Sequence, residues 1–225
     1  MIKYYSIHFN RPDFVKIQFE LSKLIGYDLV IVNNGGNTEI KNICKDLNIE
    51  YIETVNDSSR GSSYSHGNSI NQLMKNINFN ENWGIIDHDI FIVDKIEIND
   101  FEILSWEQKN VKDSPYLWPG FLICKSGVNL SNINFLPKVD IPGDTGSGTN
   151  KILNNYKIKW VDTSITWEEL AKGGYQTKDI IVDFSIDNKI IAYHYLNGSN
   201  WIHNINNSSK NKKISEILKK ISDNK

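Results

Sequence analysis

The sequence predicts an α/β protein built on a mostly parallel, doubly wound sheet. Over the first 93 residues, apolar segments of strand length alternate three times with segments whose apolar residues recur at helical spacing, and a fourth strand closes the series. The second strand, Leu29 to Val32, is continuously apolar, as expected of a parallel strand covered on both faces. Right-handed crossovers between such strands place helices on both sides of the sheet.

Each element has its own signature. Residues 2 to 8 form a first strand that runs into Asn10, Arg11 and Pro12. Proline suits the first helical turn, where its missing N–H has no partner to lose. Phe14, Ile17, Leu21, Leu24 and Ile25 then make a helical stripe, which Gly26 closes. After Leu29 to Val32 comes the permissive turn Asn33-Asn34-Gly35-Gly36. Ile40, Ile43, Cys44 and Leu47 mark the second helix, and residues 49 to 55 the third strand. A polar loop over 56 to 65 leads to a third helix carrying Ile70, Leu73, Met74 and Ile77. The fourth strand, Trp83 to Ile86, stops at Asp87-His88-Asp89 and resumes over Ile90 to Val93.

The second half is less regular. Strands are expected over 101 to 106 and 116 to 125, the latter interrupted at Trp118-Pro119-Gly120. The loop 141 to 148 precedes a helix with Ile152, Leu153 and Tyr156, and 158 to 161 reads as a further strand. Segments 180 to 186 and 189 to 196 read as a hairpin turning at Asp187-Asn188. Ile214, Ile217, Leu218 and Ile221 form a final apolar stripe opposed by lysines. With no repeat or linker, one domain is expected over 1–225.

Composition excludes some functions. A net charge of −2 and a pI near 6.2 give no global basic field, so no nucleic-acid partner is expected. Cys44 and Cys124 lack Cys-x-x-Cys spacing, no basic and apolar leader opens the chain, and no apolar run approaches the ~20 residues of a membrane span. A reduced, cytoplasmic protein is the expectation. The basic C-terminal stripe, 210–224, fits either a solvated helix packed on the domain or a weak membrane-surface contact, and the packed helix is preferred.

Asp87 and Asp89 at the end of an apolar strand make a small acidic cup suited to a hard divalent cation, since Mg²⁺ or Mn²⁺ at nucleotide sites takes one or two carboxylates plus phosphate oxygens. The carboxyl ends of parallel strands are where such folds bind ligands, and those ends also carry Asn10, Arg11, Asn33, Asn34 and the loop with Arg60. Arg11 and Arg60 are the only arginines, and arginine is the better bidentate partner for phosphate. Either one also fits an ordinary surface charge.

Taken in order, these features resemble the GT-A-fold glycosyltransferases, which use a nucleotide-diphosphate sugar and a divalent metal. The resemblance rests on Asn10-Arg11-Pro12, the Asn33 to Gly36 turn, the stretch from Gly61 to Asn68, and above all Asp87-His88-Asp89 as the Asp-x-Asp motif. Pro119-Gly120-Phe121, the Asp144 loop and the stretch from His194 to Trp201 follow in the family's order. The likeness implies a nucleotide-sugar-binding half over 1–93 and an acceptor and catalytic half over 94–205. It implies Mn²⁺ (or Mg²⁺) held by Asp87, Asp89 and His194, with Asp89 the direct ligand and Asp87 nearer the ribose. Asn10, Arg11, Asn33, Asn34, Arg60, Asn68 and Ser199 would line the nucleotide-sugar pocket, a UDP-sugar being favoured, with Asn68 on the first turn of its helix. Trp118 and Trp201 would stack on a glycan or glycoconjugate acceptor. In an inverting reaction Asp144 would be the base, with Glu168 or Glu169 as fallbacks.

Several residues keep a structural alternative. Asp144 also fits an N-cap, His194 a strand histidine between two tyrosines, and each tryptophan simple packing. His88 is expected to point away from its neighbours. A sugar-1-phosphate nucleotidyltransferase is disfavoured because no glycine-rich basic loop follows the first strand; a non-catalytic nucleotide- or carbohydrate-binding protein is the other alternative.

Overall fold

The computed structural model describes residues 1–109, 114–137, 144–166, 169, 180–196, 212, 215–219 and 222. Its elements are β1 (Ile2–His8), α1 (Pro12–Ile25), β2 (Asp28–Asn34), α2 (Thr38–Asp46), β3 (Glu50–Thr54), α3 (Ser62–Leu73), β4 (Asn82–Asp87), β5 (Ile90–Ile92), β6 (Ile103–Lys109), β7 (Pro115–Cys124), β8 (Ile158–Trp160), β9 (Asp162–Thr163), β10 (Ile180–Ile186) and β11 (Lys189–Leu196). Short 3₁₀ segments occupy Ser58–Arg60 and Ser147–Asn155.

The main sheet has seven strands in the order β3-β2-β1-β4-β7-β6-β8, and β7 alone runs against the rest. The expected α/β architecture, a mostly parallel sheet flanked by helices, is therefore present. One core, including Phe14, Ile31, Ile40 and Ile86, packs α1 and α2 against the sheet. Another, including Val30, Ile70, Leu73 and Ile85, packs α3 on the opposite face. Alternating residues of β2 and β4 thus enter opposite cores, which explains their continuous apolar character.

The helix boundaries follow local chemistry. Pro12 opens α1, and Gly26, at φ 77°, closes it with its N–H donating to the Ser22 carbonyl at 2.8 Å. Asn37 caps α2, its side chain accepting from the Glu39 and Ile40 amides. The Asp187-Asn188 turn has both residues left-handed, as a two-residue hairpin with right-handed twist requires.

A smaller antiparallel sheet, β5-β11-β10-β9, covers one side of the first. Its first strand, β5, begins directly after Asp89, so the acidic turn is where the chain leaves the main sheet for the second one.

Several sequence expectations change. The segment with Ile152 and Leu153 is 3₁₀ rather than α: three of its nine residues are asparagine, and the Thr149 hydroxyl is held between the Gly146 carbonyl and the Leu117 amide of β7. β7 continues through Trp118-Pro119-Gly120 because its register against β6 slips there, which frees the proline from the ladder. Met74 and Ile77 lie beyond α3, and Leu24 is 52% exposed on α1 while Ser22 is buried. Residues 215–219 are helical, and Ile217 is buried in the core, as the packed-helix reading requires; Ile214 and Ile221 lie outside the described residues. No helix among the described residues is long and apolar enough to cross a membrane.

Candidate active site

The chain runs outward through β1, β2 and β3 and then returns to the other side of β1 as β4. The strand order therefore reverses between β1 and β4, and at such a reversal adjacent loops diverge and leave a crevice above the carboxyl ends. The parallel register sets Ile7 beside Asp87 and His8 beside Asn33, so the acidic turn lies at that reversal.

Buried hydrogen bonds hold the turn. Gln18 of α1, fully buried, donates its amide to the Ile90 carbonyl at 2.9 Å and lies 3.3 Å from those of Asp87 and His88. Its oxygen meets His8 Nε2 at 2.9 Å. The His88 amide donates to the Ile7 carbonyl at 3.1 Å, and the Tyr195 amide to the Asp89 carbonyl at 2.9 Å. The His88 ring turns inward beside Phe14 and His8, away from the carboxylates as expected.

Pairing of β11 with β5 sets His194 opposite Ile90 and brings its Nε2 to 3.6 Å from Asp89 Oδ1. The imidazole packs against both Trp106 and Trp118, which also touch each other. From the other side His66 of α3 places Nε2 2.8 Å from Asp87 Oδ1, although neither atom makes an aligned hydrogen bond.

The two carboxyl groups have opposite electrostatics. Burial favours a neutral Asp87, but the His66 charge and contact overcome it and hold this carboxyl below the usual range. Burial and then the Asp87 charge push Asp89 up to about 8. Burial lowers His194 to about 4, so it is a neutral imidazole. His66 is shifted upward: burial opposes the charged form, and Asp87, followed by Asp144 and Asp89, outweighs it. At neutral pH without a cation the turn thus carries one carboxylate and one carboxylic acid. A divalent ion would displace that acid proton.

Among the described residues, no three His, Cys, Asp or Glu side chains converge closely enough to enclose a metal by themselves. The donors nonetheless suit a shared site of the kind completed by phosphate oxygens. Asp87 and Asp89 offer hard oxygens, His194 a neutral imidazole, and the unaligned Asp87 Oδ1 an unused acceptor direction.

Asp144 reaches the same mouth, because the Thr145 hydroxyl donates to the Ser63 carbonyl of α3 at 2.8 Å. Its Oδ1 accepts from the adjacent Thr145 amide at 2.7 Å. The N-cap of the following 3₁₀ segment is Gly146, so Asp144 is not the side-chain cap that its position suggested. Of its fallbacks, Glu169 is exposed and pairs reciprocally with Thr166 as a capping box, and Glu168 lies outside the described residues.

Other candidates are occupied by structural work. Asn33 is fully buried, with its side chain bonded to Asn37 and Tyr51, and Asn34 bonds Ser65. Arg11 is no surface charge: it forks onto Asp13 at 2.9 and 2.6 Å and stacks over Phe14. Arg60 is exposed over Tyr64, with a 2.8 Å bond to its hydroxyl. Asn10 accepts from Asn37. Asn68 sits in the second turn of α3, not the first, and its amide donates to the Val55 carbonyl. Trp118 is 7% exposed against Trp106, with its indole over Gly120 where a Cβ would overlap it, so it offers no open face to a sugar. Ser199 and Trp201 lie outside the described residues.

Sequence reasoning assigned no role to Gln18 or His66. Gln18 left a trace, a polar residue inside the apolar stripe of α1, whereas His66 stood in a polar loop-to-helix stretch with nothing to single it out.

No protein-family model matches the chain, and no curated protein matches it. Among solved structures the chain is similar to the crystal structure of S. aureus TarS 1–349, with 13% identity and a TM-score of 0.47 over 71% of this chain. The chain spans 57% of that structure's length.

Proposed function

We propose that this chain is a glycosyltransferase that moves a sugar from a nucleotide-diphosphate donor, a UDP-sugar being favoured, to a hydroxyl of a glycan or glycoconjugate, assisted by Mn²⁺ or Mg²⁺. One observation carries the reading: two carboxyl groups of contrasting ionisation, Asp87 and Asp89, stand at the carboxyl end of β4 where the strand order reverses, flanked by His66 and His194. A crevice at that point suits a nucleotide, and an acidic cup inside it suits the cation that accompanies a diphosphate.

Asp87, Asp89 and His194 would hold the cation together with the diphosphate oxygens. When bound, it would supply Lewis-acid stabilisation of the charge that develops on the leaving group. Gln18 and the Ile7 carbonyl fix the turn, so the carboxyl groups meet the donor without a change in backbone. Asp144 is the proposed base of an inverting transfer. Its Oδ1 is engaged by Thr145, while Oδ2 takes no hydrogen bond among the described residues and is free to accept the hydroxyl proton of the acceptor.

A thermal-shift panel of nucleoside diphosphates and nucleotide sugars with Mn²⁺, Mg²⁺ or chelator tests this. Ligand at 100-fold its dissociation constant should stabilise the fold by about 2.7 kcal/mol. Failure of every nucleotide to give a metal-dependent shift would sink the reading. Asp144→Asn should abolish transfer while donor binding stays within about twofold of wild type, since only the acceptor-side proton transfer is lost.

A further inference from the structure

The loop that carries Asp144 is tied down residue by residue. The Asp144 amide donates to the Tyr116 hydroxyl of β7 at 3.3 Å, the Thr145 hydroxyl to the Ser63 carbonyl of α3 at 2.8 Å, and the Gly146 amide to the Phe135 carbonyl at 3.0 Å. Gly146 is left-handed at φ 88°, and a Cβ there would stand 2.6 Å from Pro119 Cδ and 2.7 Å from the Leu117 carbonyl oxygen, so this backbone lies flush on β7. Consecutive residues are thus anchored to separate parts of the chain.

The anchor at Asp144 is built from buried polar groups. Tyr116 and Gln108 stand directly opposite each other on β7 and β6, each 2% exposed, and the Tyr116 hydroxyl donates to Gln108 Oε1 at 2.7 Å. That donation fixes the hydroxyl rotor, which turns a lone pair of the phenolic oxygen to the Asp144 amide. A phenylalanine would fill the same place in the core; what the hydroxyl adds on the loop side is an acceptor at a fixed point. With its amide held there and Oδ1 accepting from the Thr145 amide at 2.7 Å, Asp144 keeps its carboxyl in one orientation.

We infer that Tyr116, oriented by Gln108, is a positioning residue of the transfer: it sets the carboxyl of Asp144 in place to take the proton of the attacking hydroxyl. The inference rests on the reading of Asp144 as base and adds what holds it. In the step it serves, the hydroxyl oxygen bonds the anomeric carbon, the bond from that carbon to the diphosphate breaks with its electron pair left on UDP, and the hydroxyl proton passes to Asp144 Oδ2. Tyr116 acts on these atoms only through Asp144. Its loss should therefore lower kcat and leave donor affinity alone.

The test compares wild type, Tyr116→Phe, Asp144→Asn and the double variant, each first checked for a cooperative melt; Gln108→Met replaces Tyr116→Phe should the latter fail that check. Hydrogen exchange reads the placement. The Asp144 amide should exchange about tenfold faster in Tyr116→Phe, roughly the worth of one hydrogen bond, while the amides of β1 and β2 keep their rates. UDP release from UDP-glucose and UDP-N-acetylglucosamine with Mn²⁺, water serving as acceptor, reads the chemistry. Tyr116→Phe should lower kcat about tenfold or more with KM within about twofold, and should cost nothing further once Asp144→Asn has removed the base. A merely structural Tyr116 would lower the residual rate of both backgrounds alike. Unchanged exchange at Asp144, a wild-type kcat in Tyr116→Phe, or an equal loss in both backgrounds overturns the inference. Wild-type release by Asp144→Asn overturns the base reading beneath it. Wild type that releases no UDP from either donor counts against the transferase reading, and the exchange rate then decides the placement of Asp144 by itself.

Discussion

At the residue scale, Asp89 dominates the chemistry of the site. Burial and the neighbouring Asp87 raise it to about 8, far above the ~3.9 of an unfolded chain. The contribution of a group raised in this way is present below the unfolded value and is lost as pH rises through about 8. His8, His88 and His194 act in the opposite sense. Buried as neutral rings with values near 4, 3 and 4, they contribute stability that is present above ~6.5 and lost as pH falls toward 4. The metal-free protein should therefore be most stable near neutrality, with urea midpoints falling on both sides. Asp89→Asn should flatten the alkaline limb while removing any metal-dependent shift, and an unchanged alkaline limb would show that Asp89 does not hold a proton in the fold. Gln18→Leu should cost about 2–4 kcal/mol in urea unfolding, because it leaves the Ile90 carbonyl and His8 Nε2 buried without partners.

At the element scale, the site depends on how two helices and one strand are placed around the acidic turn. α1 brings Gln18 under the acidic turn, β11 lays His194 against β5, and α3 carries His66 to Asp87. The position of α3 is set by the close approach of Gly67 to the Phe135 backbone, for which no larger residue has room. Gly67→Ala should destabilise by about 1–3 kcal/mol in urea unfolding, as overpacking generally does. Wild-type stability in that variant would show that α3 can shift away from the Phe135 backbone at no cost. The hairpin offers a control distant from the chemistry. Asn188→Gly relieves a left-handed backbone at φ 66° and should stabilise by up to about 1 kcal/mol without altering ligand binding.

At the scale of the whole molecule, the strand order reverses between β1 and β4, and the second sheet begins at β5, directly after the acidic turn. Because β5 follows the acidic turn directly, the turn is a junction between two sheets and two packed faces. Any ligand bound there engages both, so its stabilisation should appear in global unfolding. Saturating UDP with Mn²⁺ should raise the melting temperature, and chelator should return it to the ligand-free value, as linkage requires. A nucleotide-induced shift unaffected by chelator would mean that the nucleotide binds without the acidic turn.

Much of this architecture is legible in the chain because its signals are local. Periods of two and 3.6 residues declare strands and helices, Pro12 and Gly26 bound α1, Asp187 and Asn188 turn the hairpin, and Asp87 and Asp89 stand where an apolar strand stops. Tertiary structure alone decided which side chains meet. Arg11 fits a phosphate anchor by type, but Asp13 and Phe14 claim it; Trp118 fits a sugar platform, but folding buries it beside His194; Asn33 is held by its own turn and by Tyr51 of β3. His66 and His194 lie far from Asp87 and Asp89 in sequence and reach them only through strand order, register and the packing of α3. The physical reason is that backbone geometry depends on neighbours along the chain, whereas the partner of a polar group depends on neighbours in space.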